Sequence, residues 1–168
     1  MYTIKDLLRR AVLVNANGTA VVDGDERQSW AQFQQRVEAI ASTLIKRGLQ
    51  KGDRVAILSR SRYEWTLVDF AIFGAAAVSI PIYPSSTEAE VVHLIRHGEA
   101  KIAFVEDETQ LAKLLPRLDE LPSLERIVVL ETARAGLPSK VLSLFDLQRE
   151  GESEQHSSPQ LFRETLLS

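Results

Sequence analysis

Two apolar patterns alternate along the chain: short continuous runs, which are typical of buried strands, and periodic segments, which are typical of amphipathic helices. The continuous runs predict strands that are covered on both faces. Because helical segments separate them, we expect right-handed βαβ units and a mainly parallel sheet with helices on both faces. The fold class is therefore α/β. The predicted strands are residues 54–58, 78–82, 101–105 and 126–130.

Two helices carry complete start and stop signals. In each, a serine or threonine and a glutamine or glutamate three residues later form a capping box, in which the two side chains satisfy orphan backbone amides. A glycine then follows the last apolar residue of the periodic face and ends the helix. The capping boxes are Ser29–Gln32 and Thr87–Glu90, and the terminating glycines are Gly48 and Gly98.

The other helices are predicted from apolar spacing. Residues 4–15 form a short amphipathic helix, and residues 62–73 form a helix that is apolar on most sides and should be largely buried. A leucine-rich helix over residues 108–115 is stopped by Pro116.

We predict one α/β domain over residues 1–150, which includes a small N-terminal hairpin whose turn is at Asp23-Gly24. From residue 151 to 159 the sequence reads GESEQHSSP, and this polar composition predicts a flexible linker. Residues 151–168 are thus interpreted as a linker and the start of a further, missing element. That start carries apolar residues at helical spacing: Leu161, Phe162, Leu166 and Leu167.

The amino-acid composition excludes several classes of protein function. Apolar residues make up 45% and charged residues 26%, and a formal net charge of −3 gives no basic excess for binding nucleic acid. The absence of cysteine excludes a disulfide framework and a thiolate metal site, and fits the cytoplasm. Asp6 and a basic pair interrupt the N-terminal apolar residues, so no secretory signal is predicted. No run approaches membrane-spanning length, and peripheral membrane contact stays open.

Groups that could carry chemistry are sparse. The eight glycines are scattered singly, so the sequence has no glycine-rich loop that could cradle a phosphate. His93 and His97 lie four residues apart on one helix face with Glu90 nearby, a spacing that can hold a metal. The pair lacks the His-Glu-x-x-His order of zinc hydrolases and an evident third ligand, and a solvated helix face is the competing interpretation.

Several other residues have both a functional and a structural interpretation. Four serines are nucleophile candidates by residue type alone, because none lies in a Gly-x-Ser-x-Gly elbow. These serines are Ser59, Ser61, Ser85 and Ser86. The structural interpretations are helix caps for Ser61 and Thr87, a turn residue for Asp53 and core for Trp65. Tyr83 follows a strand end, where α/β sheets usually bind ligands, and is the candidate for lining a pocket.

Five motifs occur together in an order and spacing that resemble one enzyme family. The motifs are Ser-Trp-Ala-Gln-Phe at 29–33, Gly-Asp-Arg-Val-Ala-Ile at 52–57, Glu-Trp at 64–65, Gly-Ala-Ala-Ala-Val at 74–78 and Ile-Pro-Ile-Tyr-Pro at 80–84. They resemble core motifs of the AMP-forming acyl- and aryl-activating synthetases. Tyr-Pro-Ser-Ser-Thr at 83–87 is similar to the long-chain fatty-acyl-CoA synthetase branch. The resemblance extends to about residue 147.

The resemblance implies the N-terminal subdomain of the adenylate-forming synthetase fold and a reaction in two steps. A carboxylate attacks the α-phosphate of ATP to give acyl-AMP and pyrophosphate, and CoA then displaces AMP. The full family enzyme requires ATP, Mg²⁺ and CoA, because cations must neutralise charge on the transferring phosphorus. The family's phosphate loop and catalytic lysine have no counterpart in this sequence. The resemblance therefore assigns no catalytic, cofactor-binding or metal residue to this chain.

Two function hypotheses remain open. In the first, the chain is the N-terminal fragment of a long-chain fatty-acid–CoA ligase, inactive alone, whose partner is the remainder of the synthetase chain and whose substrate is a fatty acid. In the second, it is a non-catalytic binding or dimerisation module derived from that fold. Self-association is the test in solution, because a cut domain exposes apolar surface that its missing half would cover, and a homodimer stays open as a partner. Neither predicts a nucleic-acid partner or a tightly bound cofactor. Acyl chain length stays open, as does the acceptor, which could be CoA or a carrier protein.

Overall fold

The computed structural model describes residues 4–131, 136–157 and 159. Within these residues the chain forms a five-stranded parallel sheet, a two-stranded antiparallel hairpin and surrounding helices. The helices are α1 (Ile4–Asn15), α2 (Trp30–Lys46), α3 (Tyr63–Gly74), α4 (Glu88–His97), α5 (Glu108–Ala112), a 3-10 helix (Leu115–Glu120) and α6 (Leu144–Ser157). The strands are β1 (Thr19–Asp23), β2 (Glu26–Ser29), β3 (Arg54–Leu58), β4 (Val78–Ile82), β5 (Ile102–Val105), β6 (Arg126–Val129) and β7 (Val141–Ser143).

The large sheet has the strand order β4-β3-β5-β6-β7, and every neighbouring pair is parallel. One face packs on a core shared with α2, α3 and α6, and the other face packs on a core shared with α4, α5 and the 3-10 helix. The three central strands, β3, β5 and β6, are nearly fully buried because helices cover both faces, whereas the edge strands β4 and β7 are partly exposed. The predicted α/β class, the parallel sheet and the N-terminal hairpin are thus confirmed.

Both predicted capping boxes are present. The Ser29 hydroxyl accepts a hydrogen bond from the backbone amide of Gln32 at 3.2 Å, and the Gln32 side chain accepts one from the amide of Ser29 at 2.9 Å. Thr87 and Glu90 make the same reciprocal pair at the start of α4. Gly48 has a φ of +99°, which confirms the left-handed stop after α2.

One predicted helix end is confirmed and one predicted cap is wrong. Helix α4 ends at Gly98 as predicted, although Gly98 is right-handed and the left-handed residue is Glu99, with a φ of +48°. An added Cβ at Gly98 would lie 3.1 Å from the carbonyl oxygen of Leu94 and 2.5 Å from Cδ1 of Ile80, which is the flexible end of a side chain. Ser61 does not cap α3, because the capping position is Arg62, which makes no side-chain cap bond.

The buried helix α3 has the predicted character. Leu67, Val68 and Ile72 are fully buried, and Trp65 packs against the same core, which confirms its structural interpretation. Gly74 lets α3 approach α2 closely, since an added Cβ would lie 3.2 Å from the Cβ of Ala41.

The leucine-rich helix over 108–115 is shorter than predicted. Helix α5 ends at Ala112, and the chain then enters the 3-10 helix with Pro116 in its first turn. A proline is tolerated there because the amide that it lacks would have no partner within the helix. Pro81 is placed as predicted, in the edge strand β4.

The linker predicted from residue 151 is wrong for residues 151–157, which belong to α6. This polar helix is held by α2: the Ser42 hydroxyl donates to Glu154 at 3.1 Å, and Gly151 is buried against the backbone of Ala39. Strand β7, which leads into α6, was also not predicted. The apolar residues predicted to start a further element, Leu161, Phe162, Leu166 and Leu167, lie outside the described residues.

Candidate functional site

Charged side chains lie within two residues of the carboxyl ends of three neighbouring strands of the parallel sheet. Arg60 comes after β3, Glu106 after β5 and Glu131 after β6. Since β3, β5 and β6 are adjacent and parallel, their carboxyl ends meet at one edge of the sheet. This edge is where open α/β sheets place their functional groups.

The crevice between the carboxyl ends of β3 and β5 is the topological switch point of the sheet. Strand β3 leads through α3 to β4 on one side, whereas β5 leads through α5 to β6 on the other. Connections that diverge in this way leave a gap between the two strands, and ligands of doubly wound folds usually bind in that gap. We call this gap the crevice, and its floor is formed by residues 59, 60 and 106.

In this protein an ion pair of the chain itself bridges the two strand ends at the crevice. The Glu106 side chain is 5% exposed, and its carboxylate accepts hydrogen bonds from the backbone amide of Arg60 at 2.9 Å and from the Ser59 hydroxyl at 3.4 Å. The guanidinium Nε of Arg60 lies 2.6 Å from the other carboxylate oxygen. Burying a carboxylate is tolerable only with such partners. Glu106 therefore fastens the loop after β3 to the end of β5.

Arg62 extends this pair into a network. Its guanidinium donates to Glu64 and to Glu131, each at 2.6 Å, and lies 3.8 Å from Glu106. The hydrogen bond to Glu64 is the main reason why the pKa of Arg62 is raised above its usual value. For Glu64, burial raises the pKa, but the hydrogen bond and charge of Arg62 outweigh it and the net pKa is lowered. Arg62 and Glu64 are therefore both ionised at neutral pH.

An open cleft of about 880 Å³ lies beside this network, along the carboxyl ends of β6 and β7. Its polar wall consists of Arg62, Glu64, Glu131, Ser143 and Asp146, and its apolar wall consists of Leu130, Leu137, Val141, Leu142 and Phe145. Three carboxylates face one guanidinium, so the wall is acidic in balance. The Phe145 side chain is 70% exposed at the rim. Such a surface suits a partner that brings apolar and cationic side chains.

The predicted pocket residue Tyr83 does not belong to this cleft. It follows β4, which is the outermost strand on the other side of the sheet from β7, and its side chain is 81% exposed. The prediction that Tyr83 lines a pocket therefore concerns the surface beside β4, and it stays a prediction.

The other candidate residues fall in structural positions. The Asp53 carboxylate accepts a hydrogen bond from the amide of Gln50 at 2.7 Å and pairs with Lys101 at 2.9 Å, which confirms the turn interpretation. The Thr87 cap is confirmed. Ser59 belongs to the floor of the crevice, where its hydroxyl lies 2.9 Å from the carbonyl of Arg60.

The described residues do not fit a Mg²⁺ ion. Within residues 4–131, 136–157 and 159, no group of three or more histidine, cysteine, aspartate or glutamate side chains is placed to hold a metal. The carboxylates of the network, Glu64, Glu106 and Glu131, are each paired with an arginine that already neutralises them. No step of chemistry through a metal is therefore derived for these residues.

Sequence reasoning missed the network. Its signal was a charged residue placed immediately after a buried apolar run, which occurs at Glu106 and Glu131. Arg62 carried a weaker signal, because its partners come from separate strand ends and local sequence does not bring them together.

Solved structures define the class of protein. The anthranilate CoA ligase AuaEII, solved in complex with anthranoyl-AMP, is 27% identical to this chain and matches it with a TM-score of 0.79 over 88% of this chain and 28% of that chain. A long-chain-fatty-acid–CoA ligase (FadD1) from Archaeoglobus fulgidus shares the fold at 19% identity, with a TM-score of 0.75 over 89% of this chain and 30% of that chain. The fold is that of the N-terminal part of adenylate-forming ligases.

The chain belongs to the family of AMP-binding enzymes, whose model matches residues 8–160. The long-chain-fatty-acid–CoA ligase FadD15 of Mycobacterium bovis is 36% identical over 98 residues, which are 58% of this chain and 16% of the relative. The butyrate–CoA ligase AAE11 of Arabidopsis thaliana is 28% identical over 162 residues, which are 93% of this chain and 28% of the relative. The matched regions thus span a minor part of each relative's length. In the part of this chain that the structure describes, no helix has the length and apolarity to cross a bilayer.

Proposed function

We propose that this chain is the N-terminal α/β part of an AMP-forming long-chain fatty-acid–CoA ligase. The complete protein would activate a fatty acid with ATP to give acyl-AMP and pyrophosphate, and CoA would then displace AMP. The observation that carries the proposal is the family match over residues 8–160, supported by the 36% identity to a mycobacterial long-chain ligase.

The role of this part is structural, and it is inactive alone. The sequence has no glycine-rich phosphate loop, and the carboxylates at the carboxyl edge of the sheet are already paired with arginines. Groups that bind ATP and CoA and that neutralise the transferring phosphoryl group must therefore come from the remainder of the ligase. The acidic and apolar cleft beside β7 is a surface on which that remainder can pack.

The test begins with the native coding region beyond the codon for Ser168. Two proteins are then compared: this chain, and this chain followed by its native continuation. Each is assayed for AMP formation from ATP and CoA with butyrate, octanoate, palmitate and benzoate. We expect no activity from the chain alone and activity that is greatest with palmitate from the longer protein.

Three outcomes would contradict parts of the proposal. Activity of the chain alone would overturn the structural role, and a preference for butyrate or benzoate would overturn the long-chain assignment. A stop codon directly after Ser168 would overturn the fragment interpretation and favour the non-catalytic binding or dimerisation module. Sedimentation of the chain would then show whether it self-associates.

A further inference from the structure

The exposed face of α4 carries two imidazoles side by side. His93 and His97 are one helical turn apart, with ring centroids separated by 5.8 Å and ring planes inclined by 9°. Both side chains are exposed. We propose that they form a bidentate surface site for a divalent transition metal of the Cu²⁺, Ni²⁺ and Zn²⁺ class, independent of the ligase reaction.

The helix holds the two residues in a fixed register. The Thr87–Glu90 capping box fixes the start of α4, and Val91, Val92 and Ile95 anchor its opposite face in the core. A rigid backbone keeps residues at i and i+4 on one face. Because the second imidazole is already in place when the first binds, it acts at a high effective concentration. Only rotation of exposed side chains is needed for both rings to reach one ion.

The ring nitrogens are available. Among the described residues, neither imidazole makes a hydrogen bond or an ion pair, and their contact is with each other. Glu90 lies three residues before His93, and its carboxylate accepts hydrogen bonds from the amide of Thr87 at 2.7 Å and from the Thr87 hydroxyl at 2.9 Å. These bonds lower the pKa of Glu90, so it is ionised at neutral pH. The cation nearest in sequence is Arg96, whose guanidinium lies 3.9 Å from the Glu120 carboxylate.

The donor set defines the metal class. Neutral imidazole is a ligand for copper, nickel and zinc, whereas magnesium and calcium prefer oxygen. Two protein ligands leave the remaining coordination positions to water. The affinity therefore depends on the identity of the metal more than on the geometry of the site. We expect Cu²⁺ to bind more tightly than Ni²⁺ and Zn²⁺, in the usual order for nitrogen ligands.

The experiment uses the full chain without an affinity tag. CuCl₂, NiCl₂ and ZnCl₂ are each titrated calorimetrically in a buffer that does not chelate metals. We expect one equivalent of Cu²⁺ to bind, and the affinity to fall about 100-fold in H93Q and in H97Q, because each loses the second ligand. H156Q, which removes the remaining histidine of the chain, should bind like the unmodified protein. Circular dichroism checks that every variant is folded.

A rescue variant separates spacing from histidine content. Ala89 is exposed and lies four residues before His93 on the same face. The double variant A89H/H97Q therefore rebuilds an i, i+4 pair one turn earlier and should recover the affinity lost in H97Q. Binding that is unchanged in both single variants, binding that is lost in H156Q, or a folded A89H/H97Q variant that does not recover affinity would overturn the proposal.

Discussion

The crevice between β3 and β5 and the cleft beside β7 lie on the same edge of one sheet, yet they differ in what fills them. The crevice is the topological switch point, and Glu106 with Arg60 closes it. The cleft lies along the carboxyl ends of the next two strands, β6 and β7, and is open, with exposed Phe145 at its rim. Arg62 joins the two, since it approaches Glu106 on one side and lines the cleft on the other.

The difference shows that topology alone does not place a binding site. A switch point provides a gap because its connections diverge, but a buried carboxylate that bonds to the facing strand end can convert that gap into a structural joint. In this domain the open surface for contact lies instead beside the outermost strand, where β7 and the start of α6 form one wall of the cleft. The following predictions test whether the contacts at the crevice stabilise the fold and whether the cleft is a contact surface that contributes little to stability.

The largest effect is expected when the wall of the cleft is displaced. Helix α6 packs on α2 at Gly151, where an added Cβ would lie 2.1 Å from the carbonyl oxygen of Ala39. This atom belongs to helical backbone and cannot move aside. Gly151→Val should therefore lower the free energy of unfolding by about 3 kcal/mol or more, measured by urea titration. Ser153→Ala, at an exposed position of the same helix, should stay within about 0.5 kcal/mol of the unmodified protein.

Removal of the buried carboxylate should open the crevice. Glu106→Ala leaves the amide of Arg60 without its acceptor, whereas the Ser59 hydroxyl keeps the carbonyl of Arg60 and the exposed guanidinium of Arg60 can turn to water. We expect a loss of about 2 kcal/mol in urea unfolding. Glu131→Ala removes a carboxylate that is half exposed and should cost less than about 1 kcal/mol. Equal losses of unfolding free energy in the two variants would mean that Glu106 stabilises the domain no more than Glu131 at the rim of the cleft does.

The pair of Arg62 and Glu64 should give stability that depends on pH. The pKa of Glu64 is lowered in the folded protein from an ordinary value of 4.5, so its contribution is present above that pH and is lost as the pH falls through the folded-state pKa. Glu64→Gln should therefore cost about 1 kcal/mol at pH 7, and this difference should shrink as the pH is lowered below about 4.5. Urea titrations across pH 3 to 7 measure it. A difference that is constant over this range would contradict the ionic explanation.

The smallest effect on stability is expected at the rim of the cleft. Phe145 is mostly exposed, with the guanidinium of Arg149 5.8 Å from the centre of its ring. Phe145→Ser should change the free energy of unfolding by less than about 0.5 kcal/mol. It should nevertheless reduce the binding of a hydrophobic dye more than Tyr83→Ser does, because Tyr83 lies at the opposite edge of the sheet. A larger reduction in Tyr83→Ser would place the apolar contact surface at that edge.

The elements that sequence predicted well are those whose signals are local. Helix α4 carries its capping box and its apolar face within about ten residues, and the continuous apolar runs give β3 and β5 directly. Such elements need no information from the rest of the chain. The same reasoning correctly placed Trp65 in the core.

The elements that sequence missed depend on distant partners. The polar end of α6 reads as a linker until its contacts are known: Glu154 pairs with Lys46, and Glu150 pairs with Arg47 at 2.6 Å. The ion-pair network was missed for the same reason, because Arg62, Glu106 and Glu131 meet only after the sheet has formed. Local propensity could not reveal either feature.

The packing of α6 on α2 also sets an order of events during synthesis. The bonds from Arg36 to Gln148 and from Ser42 to Glu154 each join residues that are 112 positions apart. A ribosome that adds ~5–20 residues per second needs about 6–22 seconds to make that stretch. Throughout this interval the nascent chain carries α2 without the helix that covers it. The nascent domain therefore has an incompletely covered core until Gly151 leaves the ribosomal exit tunnel and α6 can pack on α2.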